Sequence, residues 1–464
     1  MNAMTHVIEA TGMRGWRSCE HRRMRLLLAV VTVMGCSPMV PANDGGTGGG
    51  RAGGAGGGSA GAFTIVELDP AARGLFPMAM AVDAADDRVV VAYFTPKGTQ
   101  TVQGIDDLNL NVVEWKSGVV SAIQTIRFMQ RTAGLAVALH PTTKEPTVAF
   151  LGGPDRLLPN APSVFWFQHD ASLATRSGST WTEVAAATLG DVCAPPGSPM
   201  GASIVGLWPA LRFDATGRAI FAYRDIHFAQ NNTDYTGSDL ESMEGTLGAL
   251  APRCIFAGFD TKPGRGARLM MTAGPNDETV LVYDQNVKTS DGAGADAVLQ
   301  RRTATGWTPP QVVLASPNTM TGPQVAWDAV EGYAVAAVRG SVLGYRRSPD
   351  AVTWDEEETV VSSGSGGWYP SLAMDLINHE PSIAFYDCSA TSNVAVAECQ
   401  TSQDSLKLTR KGGGRWQTPI TVDTEGGVPK LGFLSNGRRV IAYRVADTMD
   451  DSSRTGLLKL AIER

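Results

Sequence analysis

WPALRFDATGRAIFAYRD, residues Trp208–Asp225, consists of two short apolar segments separated by a polar turn. The first segment ends at Asp214, and the second ends in the aromatic residue Tyr223. Aspartate, threonine and glycine in the middle are typical turn residues. Aspartate and threonine side chains form hydrogen bonds with the local backbone, and glycine adopts positive φ angles without strain. The stretch therefore predicts a β-hairpin.

The same pattern occurs seven times along the chain. The copies begin at Phe76, Gly134, Trp208, Ala267, Gly322, Trp368 and Val428. Most copies have a proline near the start, an aspartate after the first segment and an aromatic at the end of the second. A unit repeated at intervals of roughly 50–75 residues indicates a repeat architecture rather than several unrelated domains.

A weaker, more polar hairpin lies between the copies, and its outer strand begins with tryptophan. The tryptophans are Trp181, Trp307, Trp354 and Trp416. Two hairpins per repeat form a four-stranded antiparallel sheet, and several such sheets around an axis form a β-propeller. The prediction is an all-β chain with one propeller of seven four-stranded blades, over residues 63–464.

The blade number has alternatives. The copy at Ala267 is poor and residues 240–266 are irregular, so six or eight blades are also considered. Tandem β-sandwiches have short strands at similar spacing and are the competing architecture. The ends favour the propeller, because Leu457–Ile462 lacks an outer strand and Phe63–Asp69 resembles one without a blade. Pairing of these two strands in the last blade would close the ring without an open edge.

The first 35 residues have the composition of an export signal. Their cationic part contains Arg14, Arg17, Arg22, Arg23 and Arg25, followed by the ten-residue apolar run LLLAVVTVMG. Such a run is too short for a membrane span, which needs about 20 residues, but suits a signal peptide. It ends in Val33-Met34-Gly35-Cys36, which resembles the bacterial lipobox. The resemblance implies cleavage before Cys36 and lipidation (diacylglycerol and an acyl chain such as palmitate) on this cysteine. An ordinary signal peptide, or a buried strand with an incidental cysteine, is the alternative.

Residues 36–62 are predicted to be a flexible tether. Pro41–Gly61 has no hydrophobic side chain larger than alanine, and glycine increases chain entropy. About 25 residues of such a coil span roughly 25–30 Å. The signal, the lipid and Ser37 after Cys36 together predict an exported protein anchored in the cell envelope, at an outer membrane or the cell surface.

Composition restricts the partners of the folded part. Without the five arginines and two glutamates of residues 1–35, the 39 basic and 46 acidic residues leave a net charge near −10. This charge argues against nucleic acid as a partner. The predicted partners are the membrane, through the lipid, and a glycan or an envelope protein; the protein is expected to be a monomer.

Four cysteines follow Cys36 in a compartment that permits disulfides: Cys193, Cys254, Cys388 and Cys399. Four cysteines allow three pairings. Cys388 and Cys399 flank a loop that enters a strand, so a bridge between them is predicted, and Cys193–Cys254 follows by elimination. A metal site is the alternative, although CxxC and paired histidines are absent from the sequence.

The fifth repeat contains a sharper motif. Tyr345–Trp354, YRRSPDAVTW, resembles the Asp-box of sialidase-like (BNR-repeat) propellers, with Ser348, Asp350, Thr353 and Trp354 in its positions. Ala351 stands where the box usually has glycine. In that family the box is a structural turn, in which the aspartate binds turn amides and the tryptophan packs between strands. The resemblance therefore implies a fold and carries no activity.

Long connections are concentrated at one end of the predicted propeller. They join the second and third strands of several blades: Thr95–Asn109, Leu151–Ser163, Arg224–Leu247, Asp284–Ala297 and Arg444–Gly456. Loops on a rigid scaffold commonly carry function. Candidate ligand residues follow the second strands: Arg224, Asp225, Asp284, Asp387 and Arg444, with Tyr223, Tyr283 and Tyr386 as rings that could stack on a sugar. The alternative is that these residues only terminate strands and pack in the core.

The leading functional hypothesis is a binding or scaffold protein without catalysis. A glycan-active hydrolase or lyase of the sialidase-like type is the second hypothesis. The sequence does not supply the arginine cluster, the Tyr/Glu pair and the acid/base aspartate that such an enzyme would need. No cofactor is expected, although the acidic loop with Asp447, Asp450 and Asp451 leaves Ca²⁺ open.

Overall fold

A computed structural model describes residues 62–464 apart from 73–76, 103–104, 130–133, 158–166, 188–191, 194–201, 229–234, 259–267, 290–291, 316–321, 340–341, 363–364, 389–403 and 446–456. The described chain forms seven blades of antiparallel strands. The predicted all-β, seven-bladed propeller is confirmed.

The first strand along the chain, β1 (Phe63–Asp69), belongs to the last blade. The first blade is β2 (Met78–Asp83), β3 (Arg88–Val102), β4 (Ile105–Lys116), β5 (Val119–Val120) and β6 (Gln124–Met129). The second is β7 (Leu135–Leu139), β8 (Pro146–Leu157), β9 (Phe167–Ser177) and β10 (Thr180–Ala187). The third is β11 (Ala202–Phe213), β12 (Ala219–Phe228), β13 (Tyr235–Gly237), β14 (Leu240–Thr246) and β15 (Ala249–Phe256).

The fourth blade is β16 (Met270–Ala273), β17 (Thr279–Thr289), β18 (Gly292–Thr303), β19 (Gly306–Trp307) and β20 (Gln311–Leu314). The fifth is β21 (Gln324–Asp328), β22 (Gly332–Arg339), β23 (Val342–Ser348) and β24 (Glu358–Val361). The sixth is β25 (Ser365–Met374), β26 (Pro381–Cys388), β27 (Asp404–Gly412), β28 (Arg415–Trp416) and β29 (Ile420–Asp423). The seventh is β30 (Gly427–Phe433), β31 (Arg439–Val445) and β32 (Leu458–Glu463), with β1 as its outer strand.

The ring closes as the two ends of the sequence predict. β1 pairs antiparallel with β32 from Phe63 opposite Glu463 to Asp69 opposite Leu458. A buried hydrogen bond extends this closure to the first blade, because the Tyr93 hydroxyl donates to Asp69 Oδ2 at 2.7 Å. The seventh blade therefore holds the N-terminal and C-terminal strands together.

The hydrophobic core is divided among the clefts between neighbouring blades. The described side chains form seven apolar clusters; six join two adjacent blades, and the one between the third and fourth blades also includes Leu151 of the second. In the cleft between the sixth and seventh blades, for example, Leu406 packs with Ile441 and Tyr443. Burial on both faces explains why the second strands are almost entirely apolar.

Two local features differ from the prediction. The irregular segment after residue 240 forms a regular hairpin of β14 and β15, although β15 is largely exposed and contains Pro252. In the fifth blade, Trp354 lies before the outer strand, which begins at Glu358. Both strands are mostly exposed or half-buried, so burial leaves no clear pattern in their sequence.

The Asp-box segment forms a tight turn at the end of β23. Asp350 Oδ1 accepts the backbone N–H groups of Val352 and Thr353 at 2.9 and 2.8 Å, and lies 3.0 Å from Ser348 Oγ. Ala351 has φ +55°, a conformation that favours glycine. This angle gives a physical reason for the glycine that the box usually has there. Trp354 packs against the cluster between the fourth and fifth blades.

The propeller has two ends, a short-turn face and a long-loop face. The short-turn face carries the turns between first and second strands and between third and fourth strands, such as 214–218 and 375–380. The long-loop face carries the connections from second to third strands and from one blade to the next.

Candidate functional site

Several predicted long loops are extended strands. Residues 95–109 contain the paired ends of β3 and β4, which meet at Val102 and Ile105. Residues 284–297 likewise form a continuous antiparallel ladder from Asp284 opposite Ala297 to Thr289 opposite Gly292. The prediction of loops was wrong here, because strands that pair beyond the packed blades show no burial pattern. Most of 444–456 lies outside the described residues.

The three predicted ligand tyrosines lie in the core. Tyr223 and Tyr283 are fully buried, and Tyr386 is 6% exposed. Their hydroxyls donate to Glu241 at 3.1 Å, to Gln300 at 2.7 Å and to Asp404 at 2.7 Å. Burial raises the pKa of all three phenols. These rings tie strands together and do not present a stacking surface, as the alternative interpretation expected.

The charged candidates of the third blade are also enclosed. Arg224 is buried, its guanidinium carbon lies 5.4 Å from the Trp208 ring centre, and its Nε donates to Ser238 Oγ at 3.1 Å. Asp225 is buried and accepts the backbone N–H of Asp239 at 2.7 Å. Both side chains hold the start of β14 in place.

The charged candidates of the last two blades likewise have protein partners. Asp387 pairs with Lys407 at 2.5 Å. Arg444 is 1% exposed, donates to the carbonyl oxygen of Phe94 at 2.7 Å and lies 5.9 Å from the Tyr93 ring centre. Burial lowers the pKa of Arg444 to about 10. Its guanidinium connects the seventh blade to the first.

Asp284 differs from the other candidates. It is 4% exposed, and in the described part of the chain its Oδ2 has no hydrogen-bond partner. Burial raises its pKa to about 7, against the opposing effects of the Arg268 charge and the Gly322 backbone N–H. A carboxyl group with this pKa can hold or release a proton at neutral pH, which is the property of a general acid or base.

Gly322 allows this group to form. Its φ is +77°, and a Cβ at this position would lie 3.0 Å from Arg268 Cδ. A side chain there would push the arginine away and strain the backbone. Arg268 precedes β16 and therefore lies at the long-loop end of the fourth blade.

The central channel contains a second cation. Lys430 is in β30, the innermost strand of the seventh blade, and is half-buried. Lys430 and Gly432 lie on the same face of β30. This face points towards the first blade and the channel, since a Cβ on Gly432 would contact Val82 and Met80. Burial and the Arg268 charge both lower the pKa of Lys430. The Arg268 charge contributes to this shift although the two residues come from different blades, the fourth and the seventh.

The inner strands of the other blades carry half-buried small or apolar residues, among them Ala81, Ala136, Met271, Ala273 and Ala373. Within the described chain, the side chain of Lys430 has no hydrogen bond or ion pair. No carboxylate contributes to the shift of its pKa. The arrangement is an ammonium and a guanidinium in an apolar channel, with the Asp284 carboxyl beside the guanidinium.

Two inner strands carry unusual aromatics at the same end. Trp208 and Tyr369 have φ of +47° and +49°, which is rare for aromatic residues and is followed in both cases by proline. The pairing register shifts at both positions. These bulges redirect the first strands of the third and sixth blades, and such strain commonly accompanies a functional surface.

Sequence reasoning did not select Lys430, Trp208 or Tyr369. A signal for each was present: a single lysine in an apolar inner strand, and the related stretches Gly206–Pro209 and Gly367–Pro370. The approach of Lys430 to Arg268, however, depends on the closure of the ring.

The described cysteines form one disulfide, Cys193–Cys254, which connects the segment after the second blade to β15. Glu241 supports it by accepting the Val192 backbone N–H at 2.7 Å. The side chain of Cys388 and all of Cys399 lie outside the described residues, so that bridge stays a prediction. The acidic residues 447–451 also lie outside them.

Across the described ranges, no cluster of three or more His, Cys, Asp or Glu side chains is arranged to hold a metal ion. A search of the same ranges found no helix with the length and apolar composition needed to cross a bilayer.

No protein-family model and no curated protein sequence matches the chain. Solved structures with similar folds include a protein of unknown function from Dyadobacter fermentans, at 14% identity and TM-score 0.44, covering 72% of this chain and 95% of that one. An α-L-arabinanase from Penicillium chrysogenum, solved with arabinobiose, is 14% identical with TM-score 0.44, covering 86% and 97%. The NanB sialidase from Streptococcus pneumoniae is 10% identical with TM-score 0.46, covering 85% and 69%. At these values the assignment of the fold rests on the sheet topology above.

Proposed function

We propose that the protein is a lipid-anchored β-propeller of the cell envelope that binds a glycan or protein ligand at the long-loop end of its channel. Lys430 and Arg268 hold an anionic group of that ligand. The ligand is bound without being cleaved.

The observation that carries this proposal is the Lys430 ammonium, which is half-buried and has no side-chain partner among the described residues, and whose pKa is lowered by burial and by the Arg268 charge. A buried ammonium without a counter-charge costs free energy, and an anionic ligand would remove that cost. Carboxylate, sulfate and phosphate groups match a guanidinium and an ammonium in charge and hydrogen bonding. Arg268 precedes the first strand of its blade, so the anion would enter from the long-loop face.

The anchor belongs to the same proposal. The lipobox-like Val33–Cys36 and the glycine-rich stretch after it supply a lipid attachment and a spacer. An anchored propeller keeps its ligand near the envelope, which suits a binding or scaffold role. Replacing Cys36 with Ser should move the protein from the membrane fraction to the soluble fraction, and retention in the membrane would contradict the anchor.

The second candidate function is glycan hydrolysis, and Asp284 is the observation that favours it. Its pKa of about 7 is suitable for an acid/base group. A hydrolase with two carboxylates needs a second one about 5–10 Å away. Within the described residues no carboxylate contributes to the pKa of Asp284.

The binding proposal is tested with the full-length protein on arrays of neutral glycans, glycans with carboxylate, sulfate or phosphate groups, and envelope proteins. We expect retention of anionic ligands and its loss in Lys430→Met. The matched control is Lys116→Met, because Lys116 is an exposed lysine that pairs with Asp86 on the opposite face. Equal binding by both variants would contradict the site. Release of a labelled product that stops in Asp284→Asn would instead establish the hydrolase.

A further inference from the structure

Two neighbouring turns on the short-turn face end in large, exposed aliphatic side chains. Val330 in the fifth blade is 65% exposed, and Leu376 and Ile377 in the sixth are 66% and 55% exposed. We refer to these three residues as the aliphatic patch. The equivalent turns of the other blades have small or polar tips, such as Thr142, Thr216 and Asn436.

The patch is a built feature of the turns. Val330 and Ile377 occupy the same position, since their backbone N–H groups donate to Asp328 and Asp375 at 2.8 and 2.9 Å. His379 Nδ1 lies 2.9 Å from Asp328 Oδ2 and joins the two turns. These contacts fix the two turns relative to each other, and the three aliphatic side chains are largely exposed.

The patch continues towards the seventh blade. The Cδ1 atom of Ile377 lies 3.1 Å from the position that a Cβ on Gly437 would take. Gly437 is in the turn between β30 and β31. The patch therefore spans the fifth and sixth blades and borders the seventh. Exposed apolar groups rimmed by polar residues commonly mark a contact surface.

The chain enters the propeller at the same face and in the adjoining blade. Phe63 pairs with Glu463, and the Arg464 backbone N–H donates to the Ala62 carbonyl oxygen at 3.0 Å. The described chain therefore begins at the short-turn face. A coil of about 25 residues, as the composition of the stretch between Cys36 and Ala62 predicts, spans roughly 25–30 Å and would keep this face close to a lipid on Cys36.

We infer that the short-turn face rests on the lipid bilayer, with the aliphatic patch of Val330, Leu376 and Ile377 inserted among the headgroups. This inference rests on the proposed lipid anchor at Cys36. It settles the orientation, because the long-loop face with Arg268 and Lys430 then points away from the membrane. A bilayer suits the patch because aliphatic side chains on rigid turns enter the interface without unfolding.

The test uses full-length lipidated protein in vesicles of phosphatidylethanolamine and phosphatidylglycerol that carry a nitroxide on the headgroup. A fluorophore is attached at Leu376→Cys in the patch, at Thr216→Cys on the same face outside the patch, or at Ser362→Cys on the long-loop face. The signal of the labelled parent, which reports any free Cys388 and Cys399, is subtracted.

We expect quenching at position 376 to be at least about twofold stronger than at 216, because an interfacial side chain lies ~5–10 Å deep near the nitroxide. Quenching at 362 should be the weakest. Equal quenching at 376 and 216, or stronger quenching at 362, would overturn the inference. Energy transfer between copies labelled at 376, without quenching by lipid, would show that a second copy covers the patch instead.

The vesicle-bound fraction separates this inference from the anchor. Wild type that floats with the vesicles, together with Cys36→Ser that does not, supports the anchor whatever the quenching. Wild type that fails to float would contradict the anchor and, with it, the bilayer as occupant of the patch.

Discussion

Lys430 of the seventh blade and Arg268 of the fourth stand across the ring from each other, and the guanidinium lowers the pKa of the ammonium. Neither strand could bring these cations together alone, since their meeting depends on a closed ring. The closure itself depends on β1, which joins the last blade. The proposed site therefore depends on the geometry of the fold.

Tyr93→Phe should destabilise the closure of the ring. The substitution removes the donor to Asp69 Oδ2, and Asp69 is only 3% exposed. A buried acceptor left without its partner costs about 1–3 kcal/mol of unfolding free energy. Urea denaturation measures the change, and Asp69→Asn combined with Tyr93→Phe should show that the two losses are not additive. Additive losses would mean that the hydrogen bond contributes little.

Asp350→Ala should loosen the turn that resembles the Asp-box. Hydrogen exchange of the Val352 and Thr353 amides should become faster, because both donate to Asp350 Oδ1. Asp355→Ala is the matched control, since its side chain is exposed and lies 3.8 Å from Arg347. If hydrogen exchange at both amides is unchanged in Asp350→Ala, this aspartate does not stabilise the turn.

Asp284 should make stability depend on pH. Its folded pKa of about 7 lies above the ordinary value of 3.8, so the folded state binds more protons between these values. Stability should therefore fall as pH rises from about 4 to about 7, by ~1.4 kcal/mol per unit of pKa difference, and then level off. Asp284→Asn should abolish this slope. Denaturation of both proteins at pH 4 and pH 8 measures it, and parallel curves would contradict the raised pKa.

The Cys193–Cys254 disulfide should stabilise the third blade. The bridge closes a loop with a sequence separation of 61 residues. Its removal in Cys193→Ala with Cys254→Ala should lower the unfolding free energy by about 2–4 kcal/mol. Calorimetry measures the Tm of this double variant and of Cys388→Ser, which serves as the control. An unchanged Tm in the double variant would show that the packing of β15 does not need the bridge.

Much of the fold could be predicted because its signal is local. Each first hairpin has two apolar strands and a short turn, so burial on both faces leaves a readable pattern, as in Trp208–Asp225. The hairpin of β14 and β15 was not predicted, since an exposed outer strand has no such constraint. The extended pairing beyond Asp284, from Gln285 opposite Asp296 to Thr289 opposite Gly292, was not predicted either.

The candidate site was harder to predict. Tyr223 and Arg224 follow the pattern of a ligand face, but their burial depends on how neighbouring blades pack. Asp284 was selected, while its raised pKa depends on Arg268 and Gly322, which come from separate segments. Lys430 was missed because a lysine gains this environment only when the channel closes around it.

The most direct test of the central claim is the pKa of Lys430, followed by NMR of ¹³C-methylated lysines in full-length protein. In the free protein, Lys430 should titrate below the ordinary lysine value of 10.5, because burial and the Arg268 charge disfavour its charged form. An anionic ligand should raise this pKa, and a neutral ligand of the same size should leave it unchanged. If Lys430 titrates with the exposed lysines, or does not respond to any anionic ligand that the protein binds, the channel site is contradicted.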